Sequence, residues 1–82
     1  MRAYAIGIPT LEMAFGIGGK TDTLIQAVKR NKNFIGAGFD GGFSTLVFKT
    51  KEAATASSMI ARRLGFEIVA IGEVNYVLRN SY

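Results

Sequence analysis

Two apolar runs flank a glycine-rich turn in the sequence FIGAGFDGGFSTLVF, residues 34–48. Asp40-Gly41-Gly42 separates the runs, and such residues provide the positive φ angles that a tight hairpin turn requires. The runs are rich in β-branched and aromatic residues, which suit a pleated and half-buried surface. We therefore predict a central β-hairpin, with a further hairpin on each side of it and one helix in each gap.

The N-terminal segment predicts the first of these flanking hairpins. Residues 2–8 alternate between larger apolar and small side chains, and residues 11–17 alternate in the same way, which is the period of a strand. Pro9-Thr10 interrupts the pattern between them. The segment therefore predicts two strands over residues 2–17, and a helix over residues 11–15 is the competing interpretation.

Each gap beside the central hairpin predicts one helix. The first helix begins at a cap on Thr21 or Asp22 and continues to about Arg30, because both candidate caps carry oxygens that can accept bonds from free N–H groups. The second helix begins at Thr50, and Gly65 suits the left-handed position that ends a helix.

Together these patterns predict one compact α+β domain over residues 1–82. Residues 66–71 and 74–79 form a third hairpin around Gly72-Glu73 in this interpretation. The element order is then ββαββαββ, with an antiparallel sheet of four to six strands and two helices packed on one face. If residues 2–17 are instead one strand and a loop, the order becomes the ferredoxin-like βαββαβ.

The composition favours binding to another protein. The chain has 82 residues, of which 49% are hydrophobic and 20% charged, and so small a domain cannot bury all of that apolar material. We expect a protein partner or a homo-oligomer. No signal-peptide pattern and no apolar run long enough to cross a bilayer is present, so we expect a cytoplasmic protein without a membrane partner.

The same composition argues against catalysis. The sequence contains neither Cys nor His, which removes disulfides, thiolate chemistry and imidazole ligands or bases. Its six acidic residues are scattered over turns, caps and strands. We therefore expect that the protein is not an enzyme and that it binds neither a metal ion nor a cofactor.

One segment matches the loose form of a phosphate-binding loop. Ala14 to Thr21 reads AFGIGGKT, and Gly18, Gly19, Lys20 and Thr21 supply the backbone N–H groups, amino group and hydroxyl that such a loop places before a helix. A parallel sheet and a second acidic motif do not fit in the chain. An ordinary strand-to-helix turn is the competing interpretation, and phosphate binding remains an alternative.

A second segment resembles the RNA-recognition motif. GFSTLVF, residues 42–48, is similar to half of the motif's RNP1 strand, and Tyr4 in AYAIGI lies where the RNP2 strand carries an aromatic residue. The resemblance implies that Phe43 and Tyr4 stack on unpaired bases. Gly41 and Thr45 depart from the pattern, because they replace the expected basic residue and the second stacking aromatic.

We interpret the chain as a non-catalytic protein-interaction module of the small inhibitor or adaptor type, in keeping with a phage or mobile-element accessory protein. Nucleic-acid or nucleotide-phosphate binding is the alternative, and the net charge of +4 permits it. The candidate contact residues are exposed-strand aromatics and the basic pairs at the two helix ends: Tyr4, Phe39, Phe43, Tyr76, Lys29, Arg30, Arg62 and Arg63.

Overall fold

The structure is a computed structural model that describes residues 2–14 and 19–75. These residues form an α+β arrangement of four strands and three helices. In chain order the elements are β1 (Arg2–Pro9), α1 (Thr10–Ala14), α2 (Lys20–Lys29), β2 (Phe34–Asp40), β3 (Phe43–Phe48), α3 (Lys51–Arg63) and β4 (Ala70–Asn75).

The four strands form one antiparallel sheet in the order β2-β3-β1-β4. The central hairpin is confirmed, since β2 and β3 pair directly and only Gly41 and Gly42 separate them. Gly41 has a φ of 61°, so the turn has positive φ at its first central position, as in a type II′ turn.

The first predicted hairpin is wrong. Residues 10–14 form the helix α1 and not a strand, while residues 15–17 lie outside the described part of the chain. The alternation of Leu11 and Met13 with smaller or polar residues fits either structure over so short a segment. The competing interpretation, a helix over residues 11–15, is therefore confirmed over residues 11–14. Within α1 the Glu12 Oε1 accepts a hydrogen bond of 2.9 Å from the backbone N–H of Glu67.

The third predicted hairpin is also wrong over its described residues. Gly72 and Glu73 do not form a turn but lie within β4, where they pair with Ala5 and Tyr4 of β1. A neighbouring strand offers these residues a complete hydrogen-bond ladder, which outweighs the weak strand preference of glycine. Of the predicted strand over residues 74–79, residues 74 and 75 belong to β4 and residues 76–79 lie outside the described residues.

Neighbouring residues fix both ends of α3, whereas no side-chain cap fixes the start of α2. The Thr50 side chain accepts a hydrogen bond from Ala53 N–H, and Gly65 takes a φ of 95° after the helix, as predicted. At α2 the predicted side-chain cap is wrong: Gly19 occupies the N-cap position and no side-chain cap bond is present.

The hydrophobic core lies between the sheet and the two longer helices. Strand residues Ile6, Ile8, Leu46 and Phe48 are fully buried or nearly so and share one face, because the register places Ile6 opposite Leu46. The helices contribute the remaining members of this cluster, which include Leu24, Val28, Ala53, Ala54 and Ala61.

Candidate functional site

An apolar cavity of about 420 Å³ lies between the helices and the central hairpin. Residues of α1 and α2 form one wall, β2 and β3 form the other, and the side chains involved include Met13, Ile25, Ala37, Phe39 and Leu46. Three of the lining residues carry hydroxyls, namely Thr10, Ser44 and Thr45, and the exposed lining is otherwise almost entirely apolar. A cavity with this lining suits an apolar group and offers nothing to neutralise a charged one.

Long-range hydrogen bonds hold α1 beside the cavity. Thr10 N–H donates to the carbonyl oxygen of Gly42 over 2.9 Å, which holds the start of the helix beside the β2–β3 turn. The Ser44 hydroxyl donates to the Thr10 hydroxyl over 3.5 Å, and the Glu12 carboxylate accepts the bond from Glu67 described above. No residue of α1 is fully buried, so these bonds add to the packing of Met13 against the core.

Three exposed apolar side chains surround this end of the molecule. Phe39 is 79% exposed, Leu11 is 71% exposed and Phe43 is 44% exposed. Each lies within three residues of the bond that joins Thr10 to Gly42. We call Leu11, Phe39 and Phe43 the apolar end. Sequence analysis singled out the two phenylalanines but missed Leu11, since only the fold brings α1 to the hairpin turn.

A second, smaller groove of about 260 Å³ lies on the opposite face of the sheet. Small residues of β1 and β4, including Ala5, Gly7 and Gly72, form its floor, and Phe43 lies at one side. Phe43 therefore contributes to a different face from Phe39, although the two residues lie close to the same turn.

The two aromatics of the RNA-binding resemblance do not share a surface. Tyr4 pairs with Phe48 and packs against the core, so it lies on the helix side of the sheet. Phe43 is an odd number of residues from Phe48 and faces the other side. One nucleic-acid strand cannot stack on both rings at once. Tyr76 lies outside the described residues.

The basic pairs at the helix ends also lie apart. Lys29–Arg30 and Arg62–Arg63 are all exposed. Lys49 N–H donates to the carbonyl oxygen of Asn33 over 2.7 Å, which places the end of α2 beside the start of α3. The two pairs therefore lie at opposite ends of the helix layer and do not form one patch.

The described part of the glycine-rich loop is engaged within the chain. Gly19 takes a φ of 78°, and the Lys20 amino group lies 3.3 Å from the position a Cβ on Gly65 would take, near the end of α3. The Thr21 hydroxyl donates to the Met13 carbonyl oxygen over 2.7 Å. Gly18 lies outside the described residues.

The described residues contain neither a metal-binding cluster nor a membrane-spanning helix. Residues 2–14 and 19–75 contain no group of three or more acidic side chains arranged to hold a metal ion. No helix in this part of the chain is long and apolar enough to cross a membrane.

Comparison with known proteins returned no match: no family model, curated protein or solved structure is significantly similar to the chain. The function must therefore be inferred from the surface itself, and its most distinctive feature is the apolar end beside the cavity.

Proposed function

We propose that this chain is a non-catalytic protein-interaction module of the small inhibitor or adaptor type, which binds its partner through the apolar end. The observation that carries the proposal is the position of Phe39, whose exposed ring lies at an apolar cavity. Exposed apolar groups that cluster beside a cavity mark binding surfaces more often than isolated ones do.

The scaffold of this module is the ferredoxin-like fold βαββαβ. The strand order β2-β3-β1-β4, with helices between β1 and β2 and between β3 and β4, supports this topology. α1 and α2 together occupy the first helical connection. Because one fold of this kind carries many functions, the topology does not select the partner and the surface must do so.

The apolar end provides part of the required binding energy. Complete burial of a Leu or Phe side chain contributes about 1.5–3 kcal/mol. Since Leu11 and Phe39 are still mostly exposed, their burial contributes roughly 2–4 kcal/mol together. Micromolar affinity requires about 8 kcal/mol, so a partner must also use the cavity and the backbone of a neighbouring strand.

Site-specific photo-cross-linking tests this proposal. A benzoylphenylalanine at position 39 should form a covalent product with a protein in the cells that produce the chain. The same group at position 59 is the matched control, because Met59 is 50% exposed but belongs to α3. Equal yields of protein product at both positions, or none at position 39, would refute the proposal.

Nucleic-acid or nucleotide-phosphate binding is the second candidate function. The exposed Phe43 ring and the net charge of +4 favour it. Such binding releases counterions and weakens steeply as salt rises, whereas an apolar protein interface responds little. If the Phe43→Ala and Lys20→Ala variants bind oligonucleotides and nucleotides with the same affinity as the wild type, this second function is excluded.

A further inference from the structure

β2 is the outermost strand on its side of the sheet in the described part of the chain. Residues 34–39 of this strand, FIGAGF, contain no charged residue and no proline. A strand edge of this kind presents unpaired N–H and C=O groups without the charges or prolines that usually block pairing. β2 is therefore suited to pair with another strand.

The turn determines which backbone groups are free. In an antiparallel ladder, residues alternate between those that exchange hydrogen bonds with the neighbouring strand and those whose groups point outward. The two-residue turn makes Asp40 and Phe43 the first bonded pair. Counting back from Asp40 along β2, Gly38 exchanges hydrogen bonds with β3. The N–H and C=O groups of Ala37 and Phe39 therefore point outward, away from β3.

From this arrangement we infer that two copies of the chain pair through their β2 edges, antiparallel, about a two-fold axis at Gly38. The inference rests on the proposed function and names the partner of the same site. In this register, Phe39 of each copy lies opposite Ala37 of the other. Every outward N–H and C=O of Ala37 and Phe39 then finds a partner.

The same register explains why a second copy of the chain fits the β2 edge and the cavity beside it. Ala37 and Phe39 both line the apolar cavity and lie on one face of β2. The Phe39 ring of one copy therefore reaches the Ala37 side of the other copy's cavity. A two-fold interface must be self-complementary, and this patch contains both a protruding ring and the cavity that receives it.

A contact along one strand edge suits a weak dimer. β2 has seven residues, so the paired edge is about 23 Å long at roughly 3.3 Å per residue. An interface confined to one strand and the side chains beside it belongs to the small, weak class that buries less than about 1,200 Å² in total. The dimer should therefore dissociate on dilution.

Three single variants test the pairing by light scattering across a dilution series. Ala37→Pro removes an N–H that points away from β3 and makes no hydrogen bond within the sheet of its own chain. Phe39→Ser removes the aromatic ring. Each should raise the dimer dissociation constant at least tenfold. Met59→Ser is the matched control, since Met59 is 50% exposed but lies on α3, and its loss should change the constant less than twofold. Circular dichroism confirms that each variant is folded.

The outcomes separate this inference from the proposed function. A wild-type chain that stays monomeric at all concentrations would overturn the pairing, as would a dimer that Phe39→Ser leaves intact or that Met59→Ser weakens equally. If position 39 still cross-links to a different protein in those cases, the proposed interaction module is retained and only the assignment of a second copy as its partner is wrong. A monomer without any cross-linked protein contradicts both.

Discussion

The central turn allows a stringent test, because its two glycines differ in backbone conformation. Gly41 has a φ of 61°, whereas Gly42 does not have a positive φ, and a Cβ on either residue would have no atom within 4 Å. An Ala at position 41 must adopt the left-handed conformation, at a cost of about 1–2 kcal/mol. An Ala at position 42 does not have this cost, because Gly42 does not have a positive φ.

Both substitutions also reduce the freedom of the unfolded chain, which stabilises the protein by about 0.4–1 kcal/mol. This gain is common to the two variants and cancels in their comparison. Gly41→Ala should therefore be less stable than Gly42→Ala by about 1–2 kcal/mol. In a domain of this size each kcal/mol shifts the melting temperature by about 4–8 °C.

Urea and thermal unfolding, followed by circular dichroism, measure the difference directly. The order of stability should be Gly42→Ala above Gly41→Ala, with equal dependence on urea concentration in both variants. Equal stabilities, or a less stable Gly42→Ala, would refute the assignment of the turn and of the strand register that follows from it.

Three further predictions address the core, a helix cap and the position of α1. Phe48→Ala should destabilise the protein by about 3–5 kcal/mol, because the ring is fully buried, whereas Met59→Ala should have a small effect in the same unfolding assay. Thr50→Ala should lower the free energy of unfolding by about 1 kcal/mol through loss of the α3 cap. Glu12→Ala should raise the exchange rate of the Glu67 amide by up to about tenfold; unchanged exchange measured by NMR would contradict the position of α1.

The elements that sequence predicted well are those fixed by neighbouring residues. The turn at Gly41 and the two ends of α3 depend on a positive φ or on a side chain three residues away. The patterns at Thr50 and Gly65 are therefore visible in the sequence, and the structure confirms them.

The elements that sequence missed depend on distant contacts. Glu12 is 55 residues from the amide it binds, so no local pattern could predict this bond, and the sequence left helix and strand as alternatives for this segment. Gly72 and Glu73 form part of a strand only because β1 lies beside them. In both cases the tertiary partner overrides the local preference.

The candidate site was predictable only in part for the same reason. Phe39 and Phe43 stood out as aromatics beside a turn, and both are exposed. Leu11 became part of the apolar end only through the fold. The basic pairs were candidate contact residues, but the structure places them at opposite ends of the helix layer, because the strands between α2 and α3 set the relative direction of these helices.

The most direct test of the central claim is the solution mass of the full chain. Light scattering, with absorbance at 260 and 280 nm on the same peak, should be recorded at low and at high salt. An interaction module that pairs with a second copy predicts a mass above that of the 8.8 kDa monomer, an absorbance ratio of protein alone, and no change with salt. A monomer under both conditions would contradict the pairing of two copies, and a species whose 260 nm absorbance disappears in high salt would contradict the protein-interaction module.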